Sequence, residues 1–478
     1  MLRTHDRFGH RIDRVDHHPS YHRLMTVAVG YGLHAAPWSA PRAGGHVARA
    51  AGFAVWSQVD AGHGCPISMT YSVVPALGAA PALLAEWQPL LASTTYDPSF
   101  GPVRAKHGAL AGMAMTEKQG GSDLRANMTV AVRVGSDDTY SLTGHKWFCS
   151  APMSDLFLVL AQAPGGLTCF VVPRWRPDGE PNAIALQRLK DKLGNRSNAS
   201  SEIELDGALG WMLGEEGRGV PTIIEMVTHT RLDCVIGSAS GMRQAVAQAT
   251  HHAAHRHAFG ARLADQPLMG AVLADLAVES EAATLTMARL AGAYDRAAGD
   301  EHERALRRLA TAVAKYWICK RQPVVVAEAL ECLGGNGYVE ESILPRLFRE
   351  SPLNGIWEGS GNVLCLDVLR TLARQPESAA AFLAELERGR GGDRRLDRAI
   401  DALRAVLAPG IAPDQARRVV ESMALALQGS LVVRFAPAEV ADVFCATRLG
   451  GEGGRALGTL PPRAPSARIV ARATPVPH

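Results

Sequence analysis

Five short segments hold the residues whose types and spacing could do chemistry. The first is MAMTEKQGGSDLRA, residues 113–126, where Thr116, Gly120, Gly121 and Ser122 crowd backbone N–H groups and hydroxyls into one loop. Such a loop can hold the polar edge of a ring or a phosphate, because glycine admits close backbone approach and small hydroxyls donate at short range. A turn leading into a hairpin has the same composition. The segment matches neither the Walker A loop nor the dinucleotide fingerprint. The others are GHKWFCS (144–150), with two adjacent aromatics, then RHAFG (256–260), LGGNGY (333–338) and IWEGSGN (356–362), each after a long helical pattern. An arginine such as Arg256 suits a diphosphate, since its planar fork binds anions bidentately. His251, His252, His255 and His257 look at first like metal ligands. No convergent carboxylates accompany them, so they read as solvated or satisfied helix residues and no metal site is expected.

The elements that must position these segments follow from periodicity. The chain has 478 residues, 47% hydrophobic and 20% charged, with a mean hydropathy of −0.01. That is room for about three domains with large cores, and it excludes a small binding module and global disorder. A net charge of +3 implies no nucleic-acid or membrane partner by itself. Residues 1–106 carry helix-compatible apolar runs broken by Gly and Pro. From 107 to 212 the texture turns to alternating β-branched runs joined by turns, MTVAVRVG, SDD, TYSLTGHKWFC, then DLFLVLAQ, PGG, LTCFVVPRW, which predict an antiparallel β domain. Long helical periods return over 213–376 and predict an antiparallel bundle. Residues 377–478 are helical again and end in a Gly/Pro-rich tail expected to be mobile. The fold class is therefore α+β and mainly helical. The eight cysteines are scattered, which suits buried, reduced thiols in a cytoplasmic protein. Neither a leader nor a membrane span is expected.

Taken in order across about residues 5–375, the five segments resemble the acyl-CoA dehydrogenase family. LKDKLGNRSNAS (189–200), KYWICKR, EESILPRLFRE and IWEGSGNVLCLDVLR resemble its alkylation-response branch. The resemblance implies a helical domain, a central antiparallel β domain and a four-helix bundle, with FAD between β domain and bundle, and an extra C-terminal helical domain. It implies that Met113, Thr116, Gly121 and Ser122 contact the flavin and its ribityl or phosphate portion, with Trp147, Phe148, Cys149 and Ser150 flanking the ring. Core packing is the other reading of the two aromatics. Arg256, Phe259 and Gln266 match positions that reach a neighbouring subunit's cofactor, and Gly334, Gly335 and Gly337 admit the diphosphate of a partner subunit's cofactor. Trp357, Gly359, Ser360 and Asn362 complete the cofactor set. Glu331 stands where the family usually has Gln and is assigned no contact. Glu358 matches the glutamate that removes the α-proton of a thioester, and a structural glutamate is the other reading. Thr230, at the family's alternative base position, cannot serve.

From residue 371 onward fifteen arginines face eleven acids, a net of +4. Arg394, Arg395, Arg398, Arg404, Arg417 and Arg418 could neutralise phosphates, or pair with the interleaved Asp393, Asp397, Asp401 and Asp414 on a solvated face. The branch resemblance favours double-stranded DNA. It also implies a homo-oligomer, dimer or tetramer, although the first helices of the family's N-terminal region, which contribute to assembly, precede the point where this sequence starts. Two functions are expected: a DNA-binding flavoprotein of the alkylation response with weak dehydrogenase chemistry on an acyl-CoA, or a conventional short branched-chain acyl-CoA dehydrogenase. A non-catalytic, flavin-stabilised DNA shield is a third.

Overall fold

Asp6 begins the structure's first departure from a helical opening. Its carboxylate accepts from the N–H groups of Phe8 (2.8 Å) and His10 (2.9 Å), and Gly9 turns the chain at φ +88°. The result is a hairpin of β1 (Leu2–His5) and β2 (Arg11–Val15). The computed structural model describes residues 1–134, 138–407 and 410–475, so Ser136 and Asp137 of the expected SDD turn and the last three residues of the tail lie outside the described residues. The chain divides into two units, Met1–Gly45 with Val59–Thr230, and His46–Gln58 with Arg231–His478.

In the first unit α1 (Pro19–Gly30) starts with proline in its first turn and the His18 ring accepting from the Ser20 N–H. The short α2 (Ala36–Ser39) follows. After α3 (Gly45–Ser57), which belongs almost wholly to the second unit, come α4 (Gly64–Leu77) and α5 (Pro81–Leu91). The strands are β3 (Ala111–Ala114), β4 (Val130–Arg133), β5 (Thr139–Ser150), β6 (Leu156–Ala163), β7 (Gly166–Pro173), β8 (Ile184–Leu189) and β9 (Ser200–Leu213). They run in the order β3-β6-β4-β5-β9-β7 with β8 on β9, and β6 also pairs with β7, so the sheet closes on itself. Its core holds Tyr140, Phe157 and Phe170. The sheet is not wholly antiparallel: β3 and β4 each pair parallel with β6. The cause is the long connection between β3 and β4, which carries the 113–126 loop across instead of folding back as a tight hairpin.

The 37-residue α6 (Gly219–His255) begins in the first unit and continues into the second. There follow a short hairpin of β10 (His257–Ala258) and β11 (Ala261–Arg262), then α7 (Pro267–Arg296) and α8 (Glu301–Glu331), the last capped by Asp300 with Glu301 and Glu303 in its first turn. Next are α9 (Ile343–Glu350), α10 (Gly361–Arg374), α11 (Pro376–Glu387), α12 (Arg394–Leu407), α13 (Ala416–Phe435), α14 (Ala438–Phe444) and α15 (Ser466–Ala473). The C-terminal helices are fastened to α7 by buried charge. Glu385 of α11, its side chain fully buried, binds Arg289 of α7 (2.8 Å) and Arg434 of α13 (2.7 Å). Arg448 reaches Asp275 (2.5 Å) and Glu279 (2.9 Å) of α7. The stretch expected to be a mobile tail builds α15, because Ile469 and Val470 share one helical face and are buried. All eight cysteines are buried free thiols. Among the described residues no helix is long and apolar enough to cross a membrane.

Candidate active site

In the first unit the sequence-predicted residues gather on β3, the loop after it, and β5. The loop is organised around Glu117, whose side chain is fully buried. Its carboxylate accepts from Lys146 Nζ and Thr129 Oγ1 (2.6 Å each), the Met128 N–H (2.7 Å) and the Thr129 N–H (3.1 Å). Burial pushes this carboxyl up, but the hydrogen bonds from Lys146, Met128 and Thr129 outweigh it and hold the group at about 2. Lys146 is fully buried too and also donates to the Leu160 carbonyl (2.6 Å). With the loop so tied, and the Trp147 N–H donating to the Thr116 carbonyl (2.8 Å), Gly121 and Ser122 stand exposed at its tip and Met113 and Thr116 half-buried at its base.

On β5 a bulge re-aims the aromatics. Lys146 pairs with Ile203 and Cys149 with Ser201, so Trp147 and Phe148 together oppose the single residue Glu202. Phe148 is 48% exposed, and Lys190 Nζ lies 3.3 Å from the centre of the Trp147 ring. Neither aromatic is plain core filling. Cys149, by contrast, turns its thiol into the sheet core, where burial pushes it up to about 12; it offers outward only its backbone. Ser150 Oγ lies 3.4 Å from both Ser200 Oγ and Asn198 Nδ2.

In the second unit three loops carry the remaining residues. Arg256 and Phe259 lie at the β10–β11 hairpin, both exposed, Phe259 at 98% and with φ +53°. Gln266 closes that hairpin by donating to the Ala258 carbonyl (2.8 Å). Gly334 and Gly335 face open space, Gly334 at φ +58°. Gly337 is glycine for a different reason, since a Cβ there would run into the Leu330 carbonyl oxygen of its own chain.

The loop before α10 holds Trp357, Glu358, Gly359 and Ser360. Glu358 is half-buried and sits at φ +58°, a conformation that costs a non-glycine residue about 1–3 kcal/mol unless its surroundings impose it. Arg231 Nε donates to the Glu358 carbonyl (2.9 Å). Asp367 holds Arg231 (2.7 Å) and Arg308 (2.9 Å). Burial raises the Asp367 carboxyl, and the two arginines bring it down to about 2. Lys315 Nζ donates to the carbonyls of Trp357 (2.8 Å), Asn354 (2.9 Å) and Gly359 (3.0 Å). The Trp357 indole donates to Asn354 Oδ1 (2.9 Å), and Asn354 Nδ2 to Ser238 Oγ (3.1 Å). Asn362, exposed at the start of α10, accepts from Arg417 (2.8 Å). Sequence reading missed Glu117, Lys146, Lys315, Asn354 and Asp367. The available signal for Lys315 was a single lysine inside the largely apolar run LATAVAKYWIC, 309–319.

The six arginines of the extension divide. Arg395 is bound by Asp393 (2.7 Å), Asp442 (2.5 Å) and Glu452 (3.4 Å), and Arg404 by Glu387 (2.8 Å). Arg417 is engaged with Asn362. Arg394, Arg398 and Arg418 are exposed and form no ion pair among the described residues.

Comparison with known proteins gives the class, a flavin-dependent dehydrogenase, and the family. The N-terminal domain model of the adaptive response protein AidB matches residues 1–98, the acyl-CoA dehydrogenase middle domain 112–208, and the acyl-CoA dehydrogenase C-terminal domain 217–373. AidB of Escherichia coli K12 is 47% identical over 455 residues, covering 95% of this chain and 84% of its own length. The structure of Caenorhabditis elegans ACDH-11 in complex with C11-CoA superposes with a TM-score of 0.85 at 28% identity, over 94% of this chain and 82% of that one. A Bacillus anthracis acyl-CoA dehydrogenase complexed with FAD shares the fold, with a TM-score of 0.73 at 20% identity over 96% and 87% of the two chains. The chain belongs to the acyl-CoA dehydrogenase family, as an AidB-like FAD-dependent oxidoreductase acting on CH–CH bonds. Its residues fit that cofactor: exposed aromatics for a ring, and open glycine backbone at 334–335 for a diphosphate.

Proposed function

We propose that this protein is a cytoplasmic flavoprotein of the alkylation response that binds double-stranded DNA through its C-terminal helices and performs acyl-CoA dehydrogenase chemistry slowly, as a homo-oligomer. Met113, Thr116, Gly121, Ser122, Trp147, Phe148 and Ser150 would hold the flavin end of FAD, with Cys149 contributing backbone alone. Gly334, Gly335, Trp357, Gly359, Ser360 and Asn362 would line the rest. Bound FAD supplies the acceptor for the hydride leaving the β-carbon of an acyl thioester. Glu358 takes the α-proton, so the two C–H bonds broken become one C=C bond. The observation that carries this reading is Glu358 itself, a glutamate in a left-handed conformation whose carbonyl accepts from Arg231. The C11-CoA bound by the C. elegans relative supports an acyl-CoA as the small ligand.

Phe259 supports the oligomer: a phenyl ring left 98% in water, beside an exposed Arg256, fits the cofactor edge of a second copy. For DNA the support is narrower than the sequence count, since Arg395 and Arg404 are already neutralised. Arg394, Arg398 and Arg418 carry the proposal.

The test is anaerobic flavin bleaching by isovaleryl-CoA and a panel of other acyl-CoAs, with duplex-DNA binding of the same preparation at two salt concentrations. Slow bleaching abolished by E358Q, with DNA binding that weakens steeply with salt and falls in R394E/R398E/R418E, is the expected result. Rapid bleaching without DNA binding would make the protein a conventional short branched-chain dehydrogenase, and wild-type bleaching in E358Q would remove the base assignment.

A further inference from the structure

Lys315 lies in the middle of α8, in a stretch where Ala312, Val313, Ile318 and Cys319 are buried as well, and has no exposed surface. An ammonium has three protons to give. Here all three go to carbonyl oxygens of one loop, those of Asn354, Trp357 and Gly359 at 2.8–3.0 Å. The fourth carbonyl in this turn, that of Glu358, is taken by Arg231. Two cations thus collect four carbonyls that would otherwise repel one another as the chain bends through φ +58° at Glu358 and +105° at Gly359. The side chain of Asn354 adds a second tie, to Ser238 on α6.

We infer that Lys315 is the positioning residue of the Glu358 loop: its ammonium imposes the left-handed turn and so sets where the Glu358 carboxylate points. The inference rests on the reading of Glu358 as the base. Lys315 touches neither substrate nor cofactor in this role and acts through backbone alone. A positively charged centre is needed, because a neutral donor of similar length has too few protons to gather three carbonyls.

The experiment compares wild type, K315M, K315Q and E358Q as FAD-loaded proteins. The first measurement is hydrogen exchange of the segment 353–362. The second is anaerobic flavin reduction by isovaleryl-CoA, with the binding constant and the limiting rate determined separately. In K315M the segment should exchange at least tenfold faster, and the limiting rate should fall about 100-fold with binding changed less than about twofold, since a misplacement near 1 Å costs that much. K315Q should fall between. Should K315M fail to accumulate as folded protein, K315Q carries both measurements. Unchanged exchange and an unchanged limiting rate would overturn the inference, as would a loss confined to binding. E358Q separates the two ideas: if it reduces at the wild-type rate the base reading is wrong, while the exchange measurement still decides whether Lys315 orders the loop.

Discussion

The two fully buried lysines solve the same problem in opposite ways. Lys146, in the sheet, meets a carboxylate: Glu117 accepts a hydrogen bond from it and accepts others from the loop that follows β3. Lys315, in the helices, meets carbonyl dipoles from one turn. The first arrangement is a charge pair that organises a loop because the carboxylate also accepts backbone N–H groups. The second is a single charge that organises a loop directly. The difference teaches which partner matters. In the sheet either member of the pair is indispensable once the other is buried, whereas in the helical unit the cost of removal falls on the backbone around Glu358.

Replacing one member of the sheet pair should therefore do the most damage. E117Q leaves Lys146 charged and buried without its counter-charge, which costs about 3–5 kcal/mol. Denaturant unfolding should register that loss, together with release of FAD, and the double variant E117Q/K146M should recover most of it. A double variant no better than the single would show that the carboxylate's bonds to Met128 and Thr129, not the charge pair, dominate. K315M should be milder in the same measurement, at about 0.5–1.5 kcal/mol for each of three hydrogen bonds, because the carbonyls lie on half-buried residues that water can reach. A loss from K315M as large as that from E117Q would erase the contrast between the two lysines.

Acid titration sharpens it further. The Glu117 carboxyl is lowered from 4.5 to about 2 in the folded protein, so the stability it contributes is fully present above pH 4.5 and is lost as pH falls toward 2. E117Q should lack this part of the pH dependence, while K315M should keep it. At the small end stands R404Q on the extension, whose pair with Glu387 is exposed and should matter by less than about 1 kcal/mol. A larger effect would mean that the surface charges of the extension are structural.

Much of the architecture was legible because it is written in local periods. The short apolar runs DLFLVLAQ and LTCFVVPRW, with turn residues between them, give β6 and β7, and the long apolar periods give α6 to α8. The N-terminal hairpin was not legible, because RTHDRFGHRID offers no apolar alternation and its turn is made by the Asp6 side chain. Nor was the parallel pairing of β3 with β6, a consequence of where a long loop lands. The family segments led to Glu358, but Lys315 and Arg231, which hold its loop, lie far away in sequence and reach it only through helix packing. The arginines of the extension show the converse. Their number suggests a uniform basic face, and the structure divides it, because Asp442 and Glu452 come back to Arg395 from later in the chain.

The bulge at Trp147–Phe148 makes one strand unusually forgiving in length. Because these two residues oppose Glu202 alone, a chain lacking one of them can keep Lys146 against Ile203 and the following cysteine against Ser201, with every other pairing of β5 unchanged. A one-residue deletion, ordinarily ruinous in a sheet because it swaps the faces of everything beyond it, would here mend an irregularity. Evolution could thus add or withdraw an outward aromatic at this place by insertion or deletion, leaving the closed sheet intact.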